Sequence, residues 1–357
     1  MNKLILVINP GSTSTKIAVY ENRKNYFFIN IKHSSEVLSK FSRVADQYEF
    51  RKAMVLQELL IAGIKLSEIS IVVGRGGLFK PIIGGVYRVN EAMIRDINNP
   101  MAEHESNLGG LIAYEMAKEI GNNVYAIIVD PTCVDEMEDI SRISGMPELP
   151  RRSFLHTLNQ RAIARRFSVE IGKSYEEINA IVVHMGGGIS IGAHKNGKII
   201  DVNNGLNGDG PMSPERSGGV PAGQLVDLCF SGKYSQNEIL KKLKGKGGLI
   251  AYLGTSDALE VEKKIANGDK YAELVFMAIS YQIAKEIGAL STVLKGNVDG
   301  ILITGGLAFS NLLINDIIER VKHIGPIKIY PGEDEMETLA LNGYMAITGE
   351  VEVKGYI

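Results

Sequence analysis

Chemically capable side chains in this sequence stand at the ends of apolar runs. Arg75 follows "SIVVG", Asp130 follows "YAIIV" and His184 follows "AIVV". Arg216 lies in the Gly- and Pro-rich stretch "DGDGPMSPERSGGVP", and Glu333, Asp334 and Glu335 precede a helical pattern in "YPGEDEMETLALNGYMAI". In an α/β sheet, ligands gather beyond the carboxyl ends of the strands. Small-residue loops hold the same kind of position: "NPGSTSTK" at 9–16, "HMGGG" at 184–188 and "TGG" at 304–306. Such loops offer hydroxyls, backbone N–H groups and an ammonium, the groups that hold phosphate. Two arginines, a histidine, a magnesium-type carboxylate and three phosphate-type loops suggest phosphoryl transfer. That chemistry needs alignment and neutralisation of spread charge more than a strong base.

The elements that must position these groups follow from periodicity. A strand pair is expected at 3–8 and 15–21, a helix over 35–63, and buried strands ending at Arg75 and Asp130. The Pro-, Gly- and charge-rich "SGMPELPRRSF" is the best candidate for a domain boundary, and a helix follows in "HTLNQRAIARRFSVEIG". The opening pattern then recurs. "ILVINPGSTSTKIAVYENRK" and "AIVVHMGGGISIGAHKNGKI" both run strand, polar residue, small-residue loop, alternating strand, polar turn. Asn9 and His184 hold the same place, 184 − 9 = 175 residues apart. One strand–loop–strand unit therefore heads each half of the chain, and the period is too long for a solenoid. A third element, "ILITGGLAFSNLLINDIIERV", puts Gly305 and Gly306 between a buried strand and a helix, and all three loops are expected to converge on one cleft.

Bulk properties exclude several classes. The chain has 357 residues, 45% hydrophobic and 22% charged, enough for two cores. A formal net charge of −2 supplies no basic field for nucleic acid or an anionic membrane. The apolar start is too short for a signal peptide, and no stretch approaches the ~20 residues of a membrane span. Cys133 and Cys229 lie far apart and read as two buried reduced thiols, so a cytoplasmic setting is expected. His33, His194 and His323 read as surface residues. "NPGSTSTK" has the lysine of a Walker A loop without the preceding glycine, "GRGGLF" lacks the last glycine of a dinucleotide fingerprint, and a strand pattern follows "GGGISIG". The loops therefore belong to a different phosphate-binding geometry.

On these and further motifs the chain resembles the acetate and butyrate kinases of the sugar kinase, Hsp70 and actin superfamily. The motifs are "NPGSTSTK", "GRGG" at 74–77, "EHESNLGG" at 103–110, "VDPTCVDEM" at 129–137, "FLHTLNQ" at 154–160, "HMGGGISIGAH", "DGDGPMSPERSGG", "GTSD" at 254–257, "TGGLA" and "PGEDE" at 331–335. In this order they run nearly end to end, and "NPGSTSTK", "HMGGGISI" and "MSPERSGG" are more similar to the butyrate kinases. The resemblance implies an α/β fold of two duplicated ribonuclease H-like (actin/Hsp70/acetate kinase-type) domains, each with a mixed five-stranded sheet, flanking a nucleotide cleft. The first would span 1–150, completed by the C-terminal helix within 335–357, and the second 151–334.

The resemblance also implies the reaction: the γ-phosphoryl of ATP moves to a short-chain carboxylate, giving an acyl phosphate. Arg75 and Arg216 would hold the carboxylate and the phosphoryl, a task suited to a planar two-pronged donor. His184 would donate to an equatorial oxygen of the transition state, with His156 and His104 in support. Asp130 and Glu335 would position Mg2+, mostly through water; Glu333 and Asp334 are adjacent alternatives to Glu335. Asn9, Ser12, Ser14 and Lys16 would line the first phosphate loop, Gly186, Gly187 and Gly188 the second, and Gly305 and Gly306 the adenosine. A homodimer or larger homo-oligomer is implied as well.

In the family's acetate kinases, bulky aliphatic residues follow the strand-end arginine, whereas Gly76 and Gly77 follow Arg75 here. Their missing side chains are expected to deepen the acyl pocket, with each extra buried methylene worth roughly 0.8 kcal/mol. That favours a three- to five-carbon acid, butyrate first and branched acids as the alternative. An Hsp70-type nucleotide switch fits less well, because it has no use for two strand-end arginines.

Overall fold

The computed structural model describes residues 2–101 and 103–357. Its strands, in chain order, are β1 Leu4–Pro10, β2 Ser14–Glu21, β3 Lys24–Lys32, β4 Ile69–Arg75, β5 Val86–Arg88 and β6 Ala126–Val129. They continue with β7 Asn179–Met185, β8 Ile189–Lys195, β9 Lys198–Val202, β10 Gly300–Gly305, β11 Ile327–Pro331 and β12 Val353–Lys354. The chain divides into two compact units, Met1–Val134 with Asp334–Ile357, and Asp135–Glu333.

The first unit holds a sheet of order β12-β5-β6-β4-β1-β2-β3, and the second a sheet of order β11-β10-β7-β8-β9. Within the first, β3-β2-β1 is an antiparallel meander, with β4 parallel to β1 and β6 parallel to β4. The second repeats this with β9-β8-β7, β10 and β11. The duplication read from the two hairpins thus covers a five-strand core. Asn9 and His184 are each the penultimate residue of an equivalent seven-residue strand. The first sheet has seven strands rather than five, because β5 and β12 extend it beyond β6.

In the second unit the strands are apolar on both faces because helices cover both. Ile181 and Val183 pack with Phe276, Ile279 and Ile283 of the helix Lys270–Val293. Ala180 and Val182 pack with Ile163, Ala164 and Phe167 of the helix Thr157–Glu170. In the first unit, the helix Glu335–Thr348 lies close over the sheet at Gly343, where a Cβ would come within 2.7 Å of Val73 and 2.8 Å of Ile5. The first unit ends at Val134, ahead of the boundary expected at 150. The reason is bonding: Glu138 N donates to Ile200 O at 2.9 Å, and Ser141 Oγ donates to the same oxygen at 3.1 Å. The helix expected over 35–63 is interrupted, with Ser35–Leu38 and Tyr48–Ile61 helical and a 3-10 turn at Val44–Gln47. Among the described residues, no helix is long and apolar enough to cross a membrane.

Two histidines expected at the surface are buried, and Cys229 is exposed where a buried thiol was expected. Burial, with Arg51 alongside, lowers the His33 pKa from 6.5 to about 4. Burial, then Arg161 and Arg165, lowers that of His194 to about 3. Both ring nitrogens of His194 are paired: Tyr175 Oη lies 2.9 Å from Nδ1, and Gln160 Oε1 lies 3.0 Å from Nε2. The unfolded chain protonates both rings below about pH 6.5, while the folded chain does so only near 4 and 3. Stability is therefore fully present above 6.5 and is lost as pH falls towards 4. Thermal unfolding followed across that interval is expected to show the melting temperature dropping by several degrees. A flat profile would contradict the assignment.

Candidate active site

In the first unit, the carboxyl ends of β1 and β4 bring Asn9 and Arg75 to Glu335. Arg75 Nη1 forms an ion pair with Glu335 Oε2, the two side chains being only 13% and 11% exposed. Asn9 Nδ2 donates to the same oxygen at 2.9 Å. Glu335 opens its helix, where a carboxylate also faces the positive dipole end. Arg75 is fixed from behind by glycine contacts: at Gly74 a Cβ would collide with the backbone of Gly109, and at Gly109 with that of Arg75. "EHESNLGG" thus seats the helix Asn107–Ile120 on the end of β4. His104 precedes that helix, and its Nδ1 accepts from Ser106 N at 3.1 Å. Asp130, directly after β6, is 1% exposed, has φ +38° and accepts from Gly85 N at 2.8 Å. A non-glycine residue at positive φ is uncommon, and here it points to a position held by its surroundings.

In the second unit, His184 is 1% exposed at the end of β7. Its Nδ1 lies 2.8 Å from Asn159 Oδ1, and its Nε2 lies 3.1 Å from Glu333 Oε1. With Nδ1 donating to Asn159, Nε2 bonds Glu333 only when it too carries a proton. His156 stacks on His184, ring centroids 3.8 Å apart and planes at 16°. His156 Nδ1 lies 2.9 Å from Ser190 Oγ, which accepts from Gln160 Nε2 at 2.9 Å. Ser190 Oγ also accepts from His156 N at 3.3 Å, which leaves its own proton for His156 Nδ1. The loop Gly186–Gly188 closes on the segment carrying Arg216. Ser213 Oγ donates to Gly187 O at 2.6 Å, a Cβ at Gly188 would enter the Arg216 guanidinium, and Arg216 Nη1 donates to Gly205 O. Burial lowers the Arg216 pKa, partly offset by Glu215.

The acidic run 333–335 is divided between the units: Glu333 reaches His184, and Glu335 reaches Arg75 and Asn9. Asp130 and Glu335 supply hard anionic oxygens, the donor type that suits magnesium bound through water by one or two carboxylates. Among the described residues, no group of three or more His, Cys, Asp or Glu could hold a metal ion. In the first loop, Ser12 is exposed, Ser14 opens β2, and Lys16 is an exposed residue of β2 opposite Asn9. Gly305 is buried at φ +92° against Met185, while Gly306 is exposed with open space beside it. The following helix does not start there; a 3-10 turn intervenes, and Ser310 caps the helix at Asn311.

The space expected beside Gly76 and Gly77 for a deeper acyl pocket is already occupied. A Cβ at Gly77 would collide with Asn107, 2.6 Å from its Cα and 2.7 Å from its N. A Cβ at Gly76 would lie 2.8 Å from Pro131 Cα. Side chains are absent there because backbone and neighbouring residues already fill the space. Asn159, Ser190 and Arg51 escaped sequence reasoning. Asn159 could have been found from its place in "FLHTLNQ".

Comparison with known proteins agrees with this geometry. Residues 148–343 match the acetokinase family. Butyrate kinase 1 of Clostridium acetobutylicum is 53% identical over 353 residues, covering 99% of each chain. The acetate kinase structure from Porphyromonas gingivalis superposes with a TM-score of 0.77 at 19% identity, over 97% of this chain and 100% of that one. A propionate kinase structure from Francisella tularensis gives 0.76 at 19% identity, over 95% and 98%. The chain belongs to the acetokinase family and is a carboxylate kinase with the two-unit α/β fold of that family.

Proposed function

We propose that the protein converts butyrate and ATP to butyryl phosphate and ADP by direct in-line transfer. The carrying observation is the 53% identity to a butyrate kinase across 99% of both chains. A carboxylate oxygen attacks the γ-phosphorus, the bond to the bridging β–γ oxygen breaks, and ADP leaves with that electron pair. No base is required, because the nucleophile is already an anion.

Arg75 would grip the substrate carboxylate; its ion pair with Glu335 supports this by giving the guanidinium a carboxylate partner. His184 would donate from Nε2 to an equatorial phosphoryl oxygen, at the atom that Glu333 Oε1 faces at 3.1 Å. Arg216 would neutralise charge on the same group, with its half-buried guanidinium strengthening the interaction. His156 would orient His184 by stacking. The loops at 9–16 and 186–188 would hold the nucleotide's phosphates, and Gly306 would leave room beside adenosine. Magnesium, held through water by Asp130 and Glu335, would neutralise the β- and γ-phosphates. Self-association is part of this reading, supported by the exposed Val226 and Phe230 of the helix Ala222–Phe230.

The test is ATP-dependent acyl hydroxamate formation with acetate, propionate, butyrate, isobutyrate and isovalerate at matched concentrations. Butyrate is expected to give the strongest signal and acetate a weak one. A maximum at isobutyrate or isovalerate would replace butyrate by a branched acid. No product with any acid would reject the reaction.

A further inference from the structure

Arg51 lies in the helix Tyr48–Ile61 and is 0% exposed. Its guanidinium reaches across to the first phosphate-type loop. Nη1 donates to Gly11 O at 2.8 Å, Ser14 O at 3.0 Å and Thr15 Oγ1 at 3.1 Å, and Nη2 donates to Ser12 O at 3.2 Å. Gln47 Oε1 takes Nε and Nη2 at 3.0 and 2.9 Å. The remaining loop carbonyl, Thr13 O, accepts from His33 N at 2.8 Å. Every carbonyl from 11 to 14 is therefore drawn into the unit.

Two consequences follow. In a trans peptide a carbonyl and the next N–H point opposite ways. Turning the carbonyls of Gly11 and Ser12 onto Arg51 thus turns the N–H groups of Ser12 and Thr13 away from it. Neither N–H bonds elsewhere among the described residues, and both residues are exposed. Secondly, Arg51 forms no ion pair among the described residues. At hydrogen-bond distance its charge is met by dipoles, and the Glu105 carboxylate acts from further off. A buried cation under outward-facing N–H groups is a receptor for a polyphosphate.

We propose that Arg51 is a positioning residue for nucleotide binding: it sets the first loop with its N–H groups outward and supplies positive potential beneath them. This rests on the reading of that loop as an ATP phosphate site. The experiment is calorimetric titration of ATP into wild type, Arg51→Lys and Arg51→Ala, with the Michaelis constants for ATP and butyrate measured alongside. Arg51→Ala is expected to weaken ATP binding by about 30-fold, with the butyrate constant changed less than about twofold. Arg51→Lys keeps the charge without the fork and is expected to fall between. Millimolar guanidinium, against sodium at equal ionic strength, is expected to restore binding to Arg51→Ala. If Arg51→Ala fails to fold, Arg51→Lys carries the test. Unchanged ATP affinity in a folded variant, an equal rise in the butyrate constant, or no difference between guanidinium and sodium would overturn the proposal. Wild type that binds ATP without making acyl phosphate would reject the reaction and leave the binding comparison decisive for Arg51. Wild type that binds no ATP would reject both.

Discussion

Replacing Arg216 by alanine is expected to lower acyl phosphate formation by about a thousandfold or more while the protein stays folded. The expectation comes from placement. The guanidinium is partly withdrawn from water, and burial lowers its pKa, so its environment works against the cation. It is held against Gly188 and the carbonyl of Gly205, and among the described residues no carboxylate is in salt-bridge contact with it. Few folds keep such a group for stability alone. Its release is expected to leave the melting temperature near that of wild type, since the surrounding backbone has its own bonds, Ser213 N to Arg216 O at 3.0 Å among them. Arg216→Lys is expected to recover little, because a point charge does not replace the fork. Gly188→Ala is a separate probe: its Cβ would displace the guanidinium without removing the charge. The turnover number should fall in both. Arg216→Ala activity within about tenfold of wild type would remove the residue from the reaction.

How much of this was legible in the sequence depends on what each residue's role requires. Asn9 and His184 were readable as equivalents because the same strand, loop and strand surround both, and the structure puts them at matching positions of β1 and β7. Arg75 was readable because a charge directly after a buried strand has few other places to be. The division of Glu333 from Glu335 was not readable. It depends on where the chain passes from one unit to the other, and periodicity carries no such signal. β12 has two residues, too few for a pattern. Arg51 was hidden for another reason. An arginine in "YEFRKAMVLQELLI" reads as the solvated face of an amphipathic helix, and only the packed loop shows that its head group is enclosed.

Gly77→Val tests the point at which the sequence misled, and its expected effect is on folding. A missing side chain leaves space only if nothing else fills it. At Gly77 the Cβ direction runs into Asn107, whose Oδ1 accepts from Leu78 N at 2.6 Å and ties the loop to the helix that seats β4. Two more carbons beyond that Cβ cannot be absorbed by a rotamer change, since the contacts include the Asn107 N and Cα. Overpacking against backbone of this kind costs about 3 kcal/mol or more, a large share of a domain's stability. The melting temperature is expected to fall by about 6–12 °C. Because Arg75 lies two residues before, activity with every acid should drop by a similar factor, leaving the ratio of butyrate to acetate unchanged. Calorimetric unfolding with the five-acid series decides it. A stable Gly77→Val enzyme whose preference moves to acetate would restore the glycine-deepened pocket. An unstable enzyme with unchanged preference would place chain-length selection on residues other than Gly76 and Gly77.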